Sequence, residues 1–340
     1  MIPKKVILDC DPGSDDAIAM MLAMKSDAID LIGVTTVNGN RIVPKTTENA
    51  LRVVQFMKSS VPVYRGCEEP IICNEIPGRK PGLPRVTLND CHGDFLPLPE
   101  AEIRTEKEHA VFYLVKTLME SEGDIYVAAV GPLTNLAMAL RIEPKIAGKI
   151  KQLVIMGGGH CGANASPAAE FNFYADPEAA KIVMDSAIPK VILPLDATWR
   201  ACLSEEKCKE LAQLGTPEAK VAAALVQKRI DNLKVNDVSE HNYALRHQAG
   251  TVAGAMLYRY DNHMAPIHDA LAIAYLINEN VVTELADANV DIDIAGGLCD
   301  GRMVADFHNT KKSKAPVTAK VALNSDAGLF TDMLFEALGK

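Results

Sequence analysis

Short β-branched runs alternate with stretches of helical spacing from the first residues onward. KKVILDCD (4–11) is an apolar run of strand length, and DDAIAMMLAMKS (15–26) follows it with helical spacing. IDLIGVTTVNGN (29–40) and PKTTENALRVVQFMKSS (44–60) repeat the pair, and VPVYRG (61–66) supplies a third strand. DIYVAAVGP (124–132), KQLVIMGGG (151–159) and PKVILPLDAT (189–198) continue the pattern, separated by helical stretches such as PLTNLAMALRI (132–142) and DPEAAKIVMDS (176–186). Parallel strands need a crossover between them, and a helix is the usual one. The alternation therefore predicts an α/β fold, a single doubly wound, mainly parallel sheet with helices on both faces. Right-handed crossovers would set the C-terminal ends of the strands along one edge.

Two stretches break the rhythm. Residues 67–104 are rich in Pro, Gly and polar residues, include NDCHGDF, and read as a lid-like loop. Residues 203–267 read as a helical insertion. NVDIDIAG, RMVADFHN and TAKVALN then alternate as strands, expected as an antiparallel extension of the sheet, before a last helix, DAGLFTDMLFEALG. No internal repeat and no Gly/Ser linker is seen, so residues 1–340 read as one domain with insertions.

The first strand ends in an unusual way. Asp9, Asp11, Asp15 and Asp16 crowd around Pro12 and Gly13, where α/β sheets place their ligands. Ser14 or Asp15 as helix N-cap, with an acidic first turn, would account for one or two of these carboxylates. It does not account for Asp9 and Asp11, which belong to a strand expected to be buried. Like charges this close repel unless a positive charge sits among them, and a hard divalent cation is the economical answer. The spacing is not that of an EF-hand loop.

Composition narrows the partners. A net charge of −9 without a basic tract argues against nucleic acid, and no apolar run reaches membrane-span length, so neither a nucleic acid nor a membrane partner is expected. The first residues enter a strand directly, which points to a cytoplasmic protein. The eight cysteines form no CxxC pair, so reduced thiols are expected.

DCDPGSDDAIAM resembles the DxDPGxDD signature of the inosine-uridine preferring nucleoside hydrolases. TTVNGN, AAVGPLTNLA, VIMGGG, NASPAAEFNFYADPEAA and HDALAIAY resemble further stretches of that family, in the right order, over residues 3–337. The resemblance implies Ca2+-dependent hydrolysis of the N-glycosidic bond of ribonucleosides to ribose and free base, a step of purine salvage. It also implies a homodimer or homotetramer.

Carried over residue by residue, the resemblance makes Asp11, Asp16 and Asp269 the Ca2+ ligands, with the backbone carbonyl of Val130 and with Asp9 behind them. Asp269 alone would read as a helix cap of DALAIAYLI. Asp11 would also be the general base on a water held by the ion. Asp15, Asn40, Asn164, Glu170 and Asn172 match the ribose-holding positions, and Met156 would pack on the sugar face. Asn40, in VNGN, would by itself read as a turn residue. Gly157, Gly158 and Gly159 would let backbone approach the site.

The resemblance makes His268 the acid that protonates the leaving base, and His92 a lid residue touching ribose or base. An imidazole suits proton donation near neutral pH. Arg246, His247, Tyr258, Arg259 and Tyr260 fall in the region that contacts the base, and Trp199 either borders the pocket or belongs to the core. Two rivals stand beside this reading. One is a DxD phosphatase, for which no phosphate-holding Lys or Ser/Thr motif is present. The other is a nucleoside-binding or Ca2+-binding protein without catalysis, against which every catalytic position is filled.

Overall fold

A computed structural model of the protein describes residues 2–72, 75, 92–235, 263–308 and 316–340. Its first half repeats one unit. β1 (Lys4–Cys10), α1 (Ser14–Lys25), β2 (Ile29–Thr36), α2 (Val43–Phe56) and β3 (Val63–Arg65) lead to α3 (Ala110–Glu120), β4 (Ile125–Ala129), α4 (Thr134–Ile142) and β5 (Ile150–Met156). α5 (Phe171–Ala175), α6 (Pro177–Met184), β6 (Lys190–Leu193), α7 (Leu195–Thr198), β7 (Cys202–Ser204), α8 (Glu205–Gln213) and α9 (Pro217–Val235) follow. Beyond them come β8 (Met264–Pro266), α10 (His268–Ile277), β9 (Val282–Ile292), β10 (Met303–Asp306), β11 (Ala319–Ser325) and α11 (Ala327–Leu338).

Among the described residues nine strands form one sheet in the order β10-β9-β11-β6-β5-β4-β1-β2-β3. From β11 to β3 every neighbouring pair is parallel. β1 is where the winding reverses, because β2 and β3 step outward on one side and β4, β5 and β6 on the other. The crevice beyond β1 and β4 is the usual ligand position in such sheets.

Side chains of a strand alternate between faces, and the core divides accordingly. Val6, Leu8 and Cys10 join the cluster built with α1, α9 and α10, whereas Ile7 joins the cluster with α3, α4 and α6. Helices on both faces explain why the strands read as unbroken apolar runs.

The antiparallel extension is present: TAKVALN forms β11, which joins the parallel sheet at β6 and pairs antiparallel with β9, and β9 pairs antiparallel with β10. β9 also starts at Val282, well before NVDIDIAG, because its outer half is exposed and lacks an apolar signature. LDAT is not strand but α7. The insertion opens with β7, which pairs antiparallel with β8, and then α8 and α9. Among the described residues no helix is long and apolar enough to cross a membrane.

Candidate active site

β1 ends at Cys10, and the chain turns through Asp11, Pro12 and Gly13 into α1. Gly13, rather than Ser14 or Asp15, takes the cap position. Asp16 folds back onto the turn. Its Oδ1 accepts from Asp11 N at 3.1 Å and its Oδ2 from Gly13 N at 2.9 Å. The loop after β2 closes over the turn: Asn40 N donates to Asp11 Oδ2 at 2.5 Å, and Asn40 Nδ2 to Asp16 Oδ2 at 3.3 Å. The approach is close. A Cβ on Gly39 would lie 1.9 Å from Asp11 Oδ2, and one on Gly131 would lie 2.8 Å from Oδ1.

α10 brings Asp269 to the same place. The cap position of this helix is Ile267, so Asp269 lies inside the first turn and is not the cap. Asp15, Asp16 and Asp269 each offer an oxygen within 4.8 Å of the others. Asp11 lies outside this tight triad but within the same buried group, all four side chains being less than a tenth exposed. Burial, then the charge of Asp16, pushes Asp11 well above the usual carboxylate range. Burial, then Asp15, pushes Asp269 well up, and burial, then Asp15, raises Asp16 to about 6. Burial acts on Asp15 too. There the Arg229 guanidinium, helped by His92 and His268, outweighs it and holds the carboxyl well below the usual range.

Below the turn, Asp9 points to the other face of the sheet, where Thr35 Oγ1 (2.6 Å) and Asn135 Nδ2 (2.8 Å) donate to its Oδ1. Its Oδ2 is buried with no hydrogen-bond partner among the described residues. β4 ends beside β1, with Val130 N donating to Asp9 O at 2.8 Å. The Val130 carbonyl accepts from Asn172 Nδ2 at 2.7 Å, and Asn172 also donates to Met156 O at 3.0 Å. Asn172 thereby ties β4, β5 and α5 together beside the carboxylates. A carbonyl has two lone pairs, so Val130 O can accept this bond and still face a cation.

The remaining predicted residues divide. His92 lies over the start of α1, accepting from Ser14 N at 3.0 Å, with Nδ1 3.8 Å from Asp15 Oδ1. His268 Nδ1 meets Thr198 Oγ1 at 2.8 Å, which fixes the ring. Met156 is buried at the end of β5. Glu170 caps α5, accepting from Gly158 N at 2.8 Å, Asn172 N at 2.9 Å and Phe173 N at 3.3 Å, and burial raises it to about 7. Asn164 is exposed and accepts from Phe171 N at 2.8 Å. The glycines after β5 make room for a core ring: a Cβ on Gly157 would lie 2.5 Å from Phe173 Cε1. Trp199 is 2% exposed and belongs to the core. Arg246, His247, Tyr258, Arg259 and Tyr260 lie outside the described residues, as does most of the lid stretch after Ile72.

Arg229 and Thr198 were invisible to sequence reasoning. Arg229 sits in VQKRIDNLK, within the stretch expected as a helical insertion, and only the docking of α9 on α1 shows where it points. Four buried carboxylates with hard oxygen donors suit a divalent cation such as Ca2+ or Mg2+ and suit no soft metal.

Comparison with known proteins agrees with this geometry. Residues 6–332 match the family model described as inosine-uridine preferring nucleoside hydrolase. The pyrimidine-specific ribonucleoside hydrolase RihB of Escherichia coli O157:H7 is 35% identical over 99% of this chain and 98% of its own. Among solved structures, the plant nucleoside hydrolase PpNRh1 superposes with a TM-score of 0.83 at 26% identity, covering 99% of each chain. The purine-preferring ribonucleoside hydrolase from Gardnerella vaginalis superposes with a TM-score of 0.81 at 25% identity, covering 99% of this chain and 98% of that one. The chain is an enzyme that belongs to the inosine-uridine preferring nucleoside hydrolase family.

Proposed function

We propose that the enzyme cleaves ribonucleosides, pyrimidine ribonucleosides foremost, to ribose and free base with Ca2+ as its metal. The observation that carries this is the position of Asp11, buried at the switch point among Asp16, Asp269 and the Val130 carbonyl. The 35% identity with a pyrimidine-specific relative supports the base preference. Asp15 already has a guanidinium partner, which leaves Asp11, Asp16 and Asp269 with Val130 O as the ion's ligands. When bound, such an ion lowers the pKa of a coordinated water and fixes its place.

Asp11 is held by Asn40 and takes the proton from the attacking water. Bond cleavage leaves an oxocarbenium-like ribosyl cation, which the surrounding carboxylates stabilise more than they stabilise the neutral sugar. Asp15, Asn40, Asn164, Glu170 and Asn172 hold the ribose hydroxyls, and Met156 packs on the ring. In this reading Glu170 and Asn164 trade backbone donors for sugar hydroxyls when substrate enters. His268, oriented by Thr198, gives its proton to the departing base, and His92 covers ribose or base from the lid. The lid (67–104) and the helical region (203–267) belong to one catalytic domain, and the enzyme works in the cytoplasm as a homodimer or homotetramer.

Initial rates on uridine, cytidine, inosine, guanosine and adenosine test the proposal. Ribose and base should appear, uridine should be fastest, a chelator should stop the reaction and Ca2+ should restore it. Intact nucleoside after long incubation with Ca2+ would refute it. His268→Ala should slow uridine by about 10²–10⁴-fold yet hardly affect p-nitrophenyl riboside, whose leaving group needs no proton. Equal losses on both would make His268 structural.

A further inference from the structure

α9 lays Arg229 against the carboxylate cluster. Its Nη1 lies 2.8 Å from Asp15 Oδ2, and the two side chains keep only 11% and 8% of their exposure. A pair this buried gives up most of its hydration, so its contribution to stability over apolar packing is small. What it does supply is orientation. An aspartate side chain has two torsions, and a guanidinium charge 2.8 Å from one of its oxygens limits where they can place the carboxylate. With Oδ2 engaged, Oδ1 is turned to the side of His92 Nδ1, 3.8 Å away. The carboxylates beside it would not hold Asp15 there, because Asp16 and Asp269 place oxygens within 4.8 Å of its own and repel it, and His92 at 3.8 Å is the more distant of its two cationic partners.

We infer that Arg229 is the positioning residue for Asp15, fixing this carboxylate to accept hydrogen bonds from the vicinal hydroxyls of the substrate sugar and so making α9 a determinant of ribose over deoxyribose. The inference rests on the reading of Asp15 as a ribose-holding residue. A site built to bond a hydroxyl rejects an analogue that lacks it, because its own buried acceptor is then left unpaired. A carboxylate free to turn aside loses that discrimination, since it can find another partner when the hydroxyl is missing.

The test compares kcat/KM for uridine with that for 2′-deoxyuridine and 3′-deoxyuridine, in the parent and in Arg229→Gln. The preference for the ribonucleoside over at least one deoxy analogue should fall by about tenfold or more. Metal content by elemental analysis should stay unchanged. Uniform losses on all three substrates, or loss of the metal, would overturn the proposal and make Arg229 a general support of the site. Should the Gln variant not fold, Arg229→Lys serves: it keeps the charge but not the planar fork. Its preference should fall severalfold, and an unchanged preference overturns the proposal. Calorimetry with D-ribose and 2-deoxy-D-ribose gives a readout without turnover, in which the parent separates the two sugars and the variant does not. A parent that cleaves no nucleoside yet still separates the sugars through Arg229 would refute the hydrolase reading and leave this inference standing.

Discussion

Asp176 and Asp11 are both aspartates with about 1% of their surface exposed, and they live in opposite surroundings. Asp176 caps α6 and gathers donors. Thr134 Oγ1 (2.7 Å) and Ile71 N (3.0 Å) meet its Oδ2, and Ala179 N (3.1 Å) meets its Oδ1. It pins the stretch after β3 to α4 and α6. Burial raises it to about 6, and the donors limit that rise. Asp11 has Asn40 N on one oxygen and other carboxylates around it, and it stands well above the usual range. Asp176 is a buried charge surrounded by donors, whereas Asp11 is surrounded by its own kind, an arrangement that suits a cation.

Paired variants would break or sharpen this contrast. The largest effect is expected at Asp11. Asp11→Asn should cut kcat on uridine by about 10³-fold or more, because in the proposed mechanism this residue both takes the proton and holds the ion. In chelator the same variant should melt a few degrees above the parent, since one of the crowded charges is gone. An Asp11→Asn protein within tenfold of parental turnover would assign the base elsewhere. Asp176→Ala should do the reverse. It strands three donors, each worth about 1–3 kcal/mol when buried unpaired, so Tm should drop by several degrees while turnover changes little. A large loss of turnover at unchanged Tm would move Asp176 into the site.

The smallest effect is a slope in pH. Asp176 rises from 3.8 to about 6 and Glu170 from 4.5 to about 7 on folding. A carboxyl raised in the folded state contributes stability that is complete below its unfolded value and is lost as pH rises through the folded one. The Tm of the chelated protein should therefore acquire a downward component between about pH 4 and 7. Asp176→Asn should make the part near 6 shallower without abolishing it, since Asp16 is raised to about 6 as well. A variant with the parental slope would show that Asp176 does not carry it.

The βα alternation, the crowding of Asp11, Asp15 and Asp16, and the family motifs were all legible in the chain, because each is a local pattern, whereas Asp9 proved to face the other side of the sheet. Apolar runs of strand length declare buried strands, and clustered like charges declare a missing counter-charge. That β11 also joins the parallel sheet at β6 could not be read, because alternation does not encode which strand a neighbour will be. The outer half of β9 was missed because exposed edge residues carry no apolar signal.

At the site the resemblance to the family picked out Asp11, Asp16, Asp269 and His268 as candidates, whereas Asp269 alone read as a helix cap. The resemblance could not show that Asp16 bonds back to the turn, that Glu170 caps α5, or that Asn172 meets the Val130 carbonyl. Arg229 is the clearest case. In sequence it is one of several charges on an amphipathic helix, and nothing local separates it from Lys228. Its role arises when α9 packs on α1 and closes a buried ion pair with Asp15. Sequence by itself determined the elements and the residues rich in chemistry, because propensity and charge spacing act over a few residues. Tertiary structure decided which carboxylates are caps, which are crowded and which has a cation, because desolvation and pairing depend on neighbours far away in the chain.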